Sequence, residues 1–238
     1  MAAVHGKGTG VLFDEFDLSA FLTQGSVVKA AQAVDITTFG NDDRVYLSGQ
    51  GSGSISLNGL WDGDAAATDV VLDAAIGADS VITVGIDGVT TLGNTAVMLQ
   101  ALNAGYQIRP TVNDAVRITA NATANGGLRV NGKILQPLEA ETTTFNGTSV
   151  NNLTDSDFGG VGHVHVTAFD GTSATVKIQD SANDADWADL IEFASITGVG
   201  AERLTVSGTV DQYLRFAITA DVFTSMTIAC AFARSRRS

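Results

Sequence analysis

Apolar residues in this chain alternate with polar ones far more often than they recur at helical spacing. The clearest case is Ser54-Ile-Ser-Leu-Asn-Gly-Leu-Trp61, where Ile55, Leu57 and Gly59 share one face and Ser54, Ser56 and Asn58 take the other. The same reading predicts strands at Val27–Lys29, Ala33–Phe39, Ser80–Ile86, Thr95–Asn103, Tyr106–Val112, Ala115–Ala122 and Ser173–Ile178. Asn41-Asp-Asp43 and Gly49-Gln-Gly-Ser-Gly53 interrupt the pattern as loops. One segment departs from it. Ala65–Ile76 predicts a helix with Val70, Val71, Ala74 and Ala75 on one stripe, an N-cap from Asp62-Gly-Asp64 and Gly77 as C-cap. In the second half only Asp184–Phe193 has helical character. One short helix among many short strands predicts an all-β chain, built as β-sandwiches or a barrel.

Two kinds of segment fall outside the strands. The arm from Val11 to Leu22 carries Leu12, Phe13, Phe16, Leu18, Phe21 and Leu22, too many apolar groups for a solvated loop. It must fold back on its own chain or dock on a neighbour. Two long links, Gly40–Gly53 and Asn146–Gly160, each follow a Thr-Thr-Phe triplet, and links of that length in β domains are often functional. Asp42, Asp43, Arg44 and Tyr46 in the first, and Leu153, Asp155, Asp157 and Phe158 in the second, are the residues expected to reach another subunit.

The triplets belong to a wider repetition. Asp35-Ile-Thr-Thr-Phe-Gly-Asn41 is echoed by Glu141-Thr-Thr-Thr-Phe-Asn-Gly147, and the Gly51–Gly63 strand by Gly160–Gly171. Val116–Ala124 resembles Met226–Arg234 in turn. Such ordered echoes are what a duplication would leave; chance similarity between Gly-, Thr- and Ala-rich strands is the competing explanation. A boundary near Gly126-Gly127 follows, dividing the chain into 1–126 with the arm and 127–238, each a β-sandwich domain.

Composition narrows the function. The 238 residues carry 13 Lys+Arg against 26 Asp+Glu, a net charge of −13, so no surface exists to neutralise a run of nucleic-acid phosphates or to dock on anionic lipid. Arg234, Arg236 and Arg237 form the sole basic cluster and read as a solvated tail. The single cysteine, Cys230, excludes an internal disulfide framework and reads as a small apolar filler of a strand. No apolar run nears the roughly 20 residues of a membrane helix, and MAAVHGKGTG shows no secretory hydrophobic region, so synthesis and folding are expected in a reducing cytosol.

Catalytic patterns are missing. His163 and His165, two apart on a strand, point to one face as two metal ligands would, but no third ligand stands near in sequence, and a solvated or interface pair is the better reading. Asp180-Ser-Ala-Asn-Asp-Ala-Asp186 lacks the Gly and closing Glu of a calcium loop and reads as a solvated turn. No phosphate-cradling Gly motif or nucleophile elbow is present. The expectation is a non-enzyme with no cofactor and no metal.

The order Asp17-Leu-Ser-Ala-Phe-Leu22, Asp35-Ile-Thr-Thr-Phe-Gly-Asn41, then Gly51-x-Gly-x-Ile-x-Leu-x-Gly-x-Trp-Asp-Gly63 resembles the major tail tube proteins of long-tailed, siphovirus-like bacteriophages, over residues 8 to 130. The resemblance implies a β-sandwich with one flanking helix that joins its neighbours edge to edge, closes an inner β-barrel and stacks as rings of six folds into a conduit for DNA. It implies a virion tail location, with the chain itself and other tail proteins as partners. DNA would pass without specific binding, the acidic lumen repelling its phosphates, and no membrane is bound. Gly40–Gly53 would be an inter-ring stacking loop, the Val11–Leu22 arm a subunit contact, and Ala65–Ile76 would lie outside the tube. A duplicated chain gives a trimeric ring and an unrelated second domain a hexameric one. Two other readings compete: a carbohydrate-binding β-sandwich using Trp187, Tyr213 and Phe169, and a capsid decoration protein.

Overall fold

The computed structural model describes residues 5–235. Arg236 and Arg237 of the basic tail lie outside them. A 3-10 turn at Gly6–Gly8 is followed by β1 (Gly10–Phe13), β2 (Phe16–Asp17), β3 (Leu22–Asp35), β4 (Tyr46–Leu60), α1 (Thr68–Ala74), β5 (Asp79–Gly85), β6 (Thr95–Arg109) and β7 (Arg117–Glu141). Then come β8 (Phe145–Asn146), β9 (Val150–Asn151), β10 (Gly160–Ser181), β11 (Ala188–Glu192), β12 (Gly200–Val206) and β13 (Tyr213–Arg234). The all-β class with one short helix is what the structure has.

The strands are longer than the sequence pattern suggests. Val27–Lys29 and the start of Ala33–Phe39 merge into β3, which ends at Asp35, and Thr95–Asn103 joins the start of Tyr106–Val112 through Ala104-Gly105 as β6, which ends at Arg109. Cross-strand hydrogen bonding carries these segments through weak β-formers, because strand propensity is set by pairing and burial more than by residue type. Asp184–Phe193 is not helical: Ala188–Glu192 pairs with β10 as β11. The helix is shorter than Ala65–Ile76, and its N-cap is Ala67, which makes no side-chain cap bond. Instead, the Thr68 hydroxyl donates to the Leu60 carbonyl at 2.8 Å, and the Asp69 amide to the Asp62 carbonyl at 3.0 Å. It buries Val71 and Leu72 and leaves Val70 exposed.

The chain forms two compact units, each assembled from separate stretches. Phe21–Ser80 and Leu99–Leu128 make one; the described residues up to Ala20, Val81–Met98 and those from Arg129 onward make the other. Gly126 and Gly127 lie inside β7, both at positive φ, where the sequence pattern suggests a boundary.

The larger unit holds the main core. β10 pairs with β13 along its full length, from Gly160↔Arg234 to Ser181↔Tyr213, with four register shifts that bend the pair. β12 and β11 pair with β10, and Val164, Val176, Ile178, Phe216, Ile228 and Phe232 fill one buried cluster. Cys230 is buried in it, as its strand context predicts, and burial pushes its thiol pKa up. β1 pairs with β5, and Leu12 joins Met98, Ile134 and the alanines 229, 231 and 233 in a second cluster.

In the smaller unit β3, β4, β7 and β6 lie side by side. The alternation read at Ser54–Trp61 holds: Ile55 and Leu57 are buried, as are Ile118 and Ala122 on β7. Gly59 is needed where it stands, since a Cβ there would lie 2.6 Å from the Phe21 carbonyl oxygen.

Candidate functional site

The most conspicuous surface feature is the β3–β4 ribbon. β4 pairs with β7 only from Ser54 to Leu60, whereas its pairing with β3 continues from Gly59 out to Tyr46. Among the described residues β3 has no partner except β4, so its outer edge is open for 14 residues. On the far side of the same sheet, the Asn103 amide donates to the Ala78 carbonyl, and beyond it no strand lies along β6 among the described residues. Val28, Val34, Tyr46 and Leu47 are exposed along the ribbon. A two-stranded ribbon is marginal in water, and long exposed edges invite further strands. This surface is therefore built for pairing with something else.

The ribbon's tip, residues 36–45, is cross-braced. The Thr37 amide and hydroxyl both donate to the Asp35 carboxylate, at 2.9 and 2.5 Å, which lowers the Asp35 pKa below the ordinary carboxylate value. The Thr38 amide and hydroxyl donate to Asn41 Oδ1, each at 2.9 Å. The Val45 amide reaches Thr37 Oγ1 and the Ile36 amide reaches the Val45 carbonyl, also at 2.9 Å. Phe39 stands out of this frame with a relative exposure of 113%, beside exposed Asp42, Asp43 and Arg44. Gly40–Gly53, expected as a long irregular link, is thus mostly strand, because Tyr46 to Gly53 pair with β3; Tyr46 itself accepts from Arg44 Nη1 at 3.3 Å.

The second link, Asn146–Gly160, is not a free loop either. Val150 and Asn151 pair with β13, and Ser156 bridges Val210. Thr209 Oγ1 donates to the Asp157 carboxylate at 3.2 Å, and the Arg234 guanidinium donates to the carbonyls of Thr154 and Asp211. Asp155 is among the carboxylates whose field acts on Arg234. Leu153 and Phe158 keep exposed side chains.

The arm folds back. Val11, Leu12, Phe13 and Leu18 are buried, while Phe16, Phe21 and Leu22 remain half-buried. Its Asp14 carboxylate accepts from the Val81 amide at 2.7 Å.

His163 and His165 overturn the expectation of a solvated or interface pair: both are fully buried within the larger unit. β10 aims both rings to one face, where the Thr83 hydroxyl lies 3.0 Å from His163 Nδ1 and 2.8 Å from His165 Nε2. His165 Nδ1 lies 2.7 Å from the Asp14 carbonyl oxygen, which makes this nitrogen the proton-bearing one, and His165 Nε2 then accepts from Thr83. His163 Nε2 is buried without a partner. Desolvation lowers the pKa of both rings, His165 to about 4. Sequence spacing finds the pair but not its burial, because the groups that cover it come from β5 and the arm turn.

Asp180–Asp186 is closed by Asn183, whose Oδ1 accepts from the amides of Ala185 and Asp186 at 3.0 and 2.9 Å. Trp187 lies under the Arg215 guanidinium, 4.2 Å from its ring centre, and Phe169 contacts Phe223, so neither ring offers the open platform of a sugar site. Tyr213 is half-buried. No group of three or more His, Cys, Asp or Glu able to hold a metal occurs among the described residues.

No protein-family model and no curated protein matches this chain. Solved structures similar to it include a chain of the native gene transfer agent virion, at 20% identity and TM-score 0.42, covering 53% of this chain and 97% of that one. The SPP1 tail tube is similar at 17% identity and TM-score 0.45, over 54% of this chain and 80% of that one. The SPP1 Dit protein, of a phage hub adsorption apparatus, is similar at 13% identity and TM-score 0.34, over 95% and 98%.

Proposed function

We propose that this chain is a structural subunit of a phage-type tail tube, located in the virion tail, which joins copies of itself into rings and stacks the rings into a DNA conduit. The observation that carries the reading is the smaller unit's sheet, which has two different open edges: all of β3, and β6 beyond Asn103. Unlike edges pair head to tail, and a head-to-tail contact that rotates by a constant angle closes into a ring. Backbone pairing along β3 would satisfy the open edge and shelter Val28 and its neighbours.

Each chain supplies one such sheet and one α1, so the ring of six that the resemblance implies takes six chains. The half-buried Phe16, Phe21 and Leu22 are the arm residues with surface left for a neighbour, since Leu12, Phe13 and Leu18 already spend theirs in the chain's own core. Asp42, Asp43, Arg44 and Tyr46 of the ribbon, with Leu153, Asp155, Asp157 and Phe158 of the second link, are the proposed contacts between rings.

The face of the sheet opposite Ile55 and Leu57 carries Ser26, Ser54, Ser56, Asn58, Thr119 and Asn121, on three adjacent strands in register. These six present hydroxyls and amides without charge, and Arg117, next to Thr119 on the same face, has its charge matched by Asp114 at 3.4 Å, so the face offers DNA phosphates little unpaired positive charge. The role is mechanical, with no chemistry assigned.

Negative-stain imaging of the purified protein over rising concentration tests the proposal, with native mass spectrometry of the smallest ring. Ring stacks with an open bore and six chains per ring are expected. A persistent monomer refutes the tube, and three chains per ring refutes the one-sheet-per-chain count.

A further inference from the structure

The antiparallel register places two unlike ends on the smaller unit's sheet. One is the ribbon tip, residues 36–45. The other is the β6–β7 turn, residues 110–116, because Leu60 at the end of β4 pairs with Arg117 and the Trp61 amide donates to the Val116 carbonyl at 2.9 Å. The span of β4 between them, 15 residues, is about 50 Å at strand rise.

The two ends are complementary. The tip's most exposed apolar group is Phe39, with nothing packed on it, and Ile36 and Val45 are partly exposed beside it. The turn offers Val112, 86% exposed, and Trp61, 43% exposed. Asp42 and Asp43 form no ion pair among the described residues, and at the other end Arg109 binds only the neutral Gln107 side chain, at 3.0 and 2.8 Å. The nearby Asp114 is matched by Arg117 at 3.4 Å. The tip's hydrogen bonds hold it in place before any contact forms, which reduces the ordering cost of docking.

We propose that the ribbon tip of one copy seats on the β6–β7 turn of a second copy, Phe39 packing against Val112 and Trp61 while Asp42 and Asp43 face Arg109. The inference rests on the tube reading and deepens it by naming the receiving surface. Because the two ends differ, the contact leaves a free tip and a free turn at every step and repeats without limit along one axis. An aromatic anchor at the centre of a small contact carries much of its affinity, and the flanking charges set its register.

The test uses the full-length protein in sedimentation velocity and negative stain, which separate single rings from stacks. Phe39→Ser should keep the wild-type fold, since Phe39 touches nothing in the chain, and keep rings. It should raise the concentration needed for stacking by about 30-fold or more. Asp42→Lys with Asp43→Lys should also block stacking, and adding Arg109→Glu should restore it. Stacks that form at wild-type concentration despite Phe39→Ser overturn the anchor while leaving the ring reading intact. A charge swap that fails to rescue overturns the Arg109 assignment. A wild-type protein that forms neither rings nor stacks overturns the tube reading itself.

Discussion

Acid should unfold the larger unit through its two buried histidines. In an unfolded chain each imidazole takes up a proton near pH 6.5. In the fold both are sealed from water and share one hydroxyl, Thr83 Oγ1; burial holds His165 neutral down to about pH 4 and lowers the His163 pKa well below its ordinary value. The second ring adds to the effect on His163, with centres 6.1 Å apart. A folded-state pKa below the unfolded one means that the unfolded chain binds more protons. Stability is therefore complete above pH 6.5 and is lost as pH falls toward the folded value. By pH 5.0 the loss is about 2 kcal/mol for His165, a sizeable share of a typical domain's total, and His163 adds to it in the same direction. Carboxylates do not mimic this: desolvation raises the Glu141 and Asp180 pKa values, so their protonation favours the fold, and Asp35, Asp114 and Asp189 are shifted down, away from the window. Urea unfolding at low protein concentration, at pH 7.5 and 5.0, measures the difference. The double variant His163→Gln/His165→Gln, less stable at pH 7.5, should lose much less between the two pH values. Equal losses in the two proteins would refute the assignment of acid lability to this pair.

Two further outcomes follow from packing and charge. Gly59→Val should lower the urea midpoint by about 1–3 kcal/mol of stability or more, since its Cβ would stand 2.6 Å from the Phe21 carbonyl, and unchanged unfolding would mean that the two strands can part there. Lys177→Met should leave the urea midpoint nearly unchanged despite close contacts to Asp189 at 2.6 Å and Glu192 at 2.7 Å, because both carboxylates stand in water. A larger loss in the same unfolding assay would show that the three groups act as a desolvated network.

The alternating pattern at Ser54–Trp61 and the β-branched runs were enough to establish an all-β chain, because a side-chain period of two has one structural solution and burial enforces it at Ile55 and Leu57. The single helix and the buried strand around Cys230 were legible for the same local reason. The arm's apolar density was legible too, but sequence left its partner open. Only the fold shows Leu12, Phe13 and Leu18 inside their own core.

What the sequence could not convey depends on which strand lies beside which. His163 and His165 read as a surface pair until β5 and the arm turn close over them, and those groups come from some 80 and 150 residues away along the chain. Gly40–Gly53 reads as a loop because glycine and serine are poor strand formers, yet β3 supplies hydrogen bonds that carry the strand to Tyr46. The open edge of β3 and the exposed Phe39 at its tip arise in the same way. Local chemistry determined which segments would be strands, whereas only long-range pairing decided which edges were left without a partner.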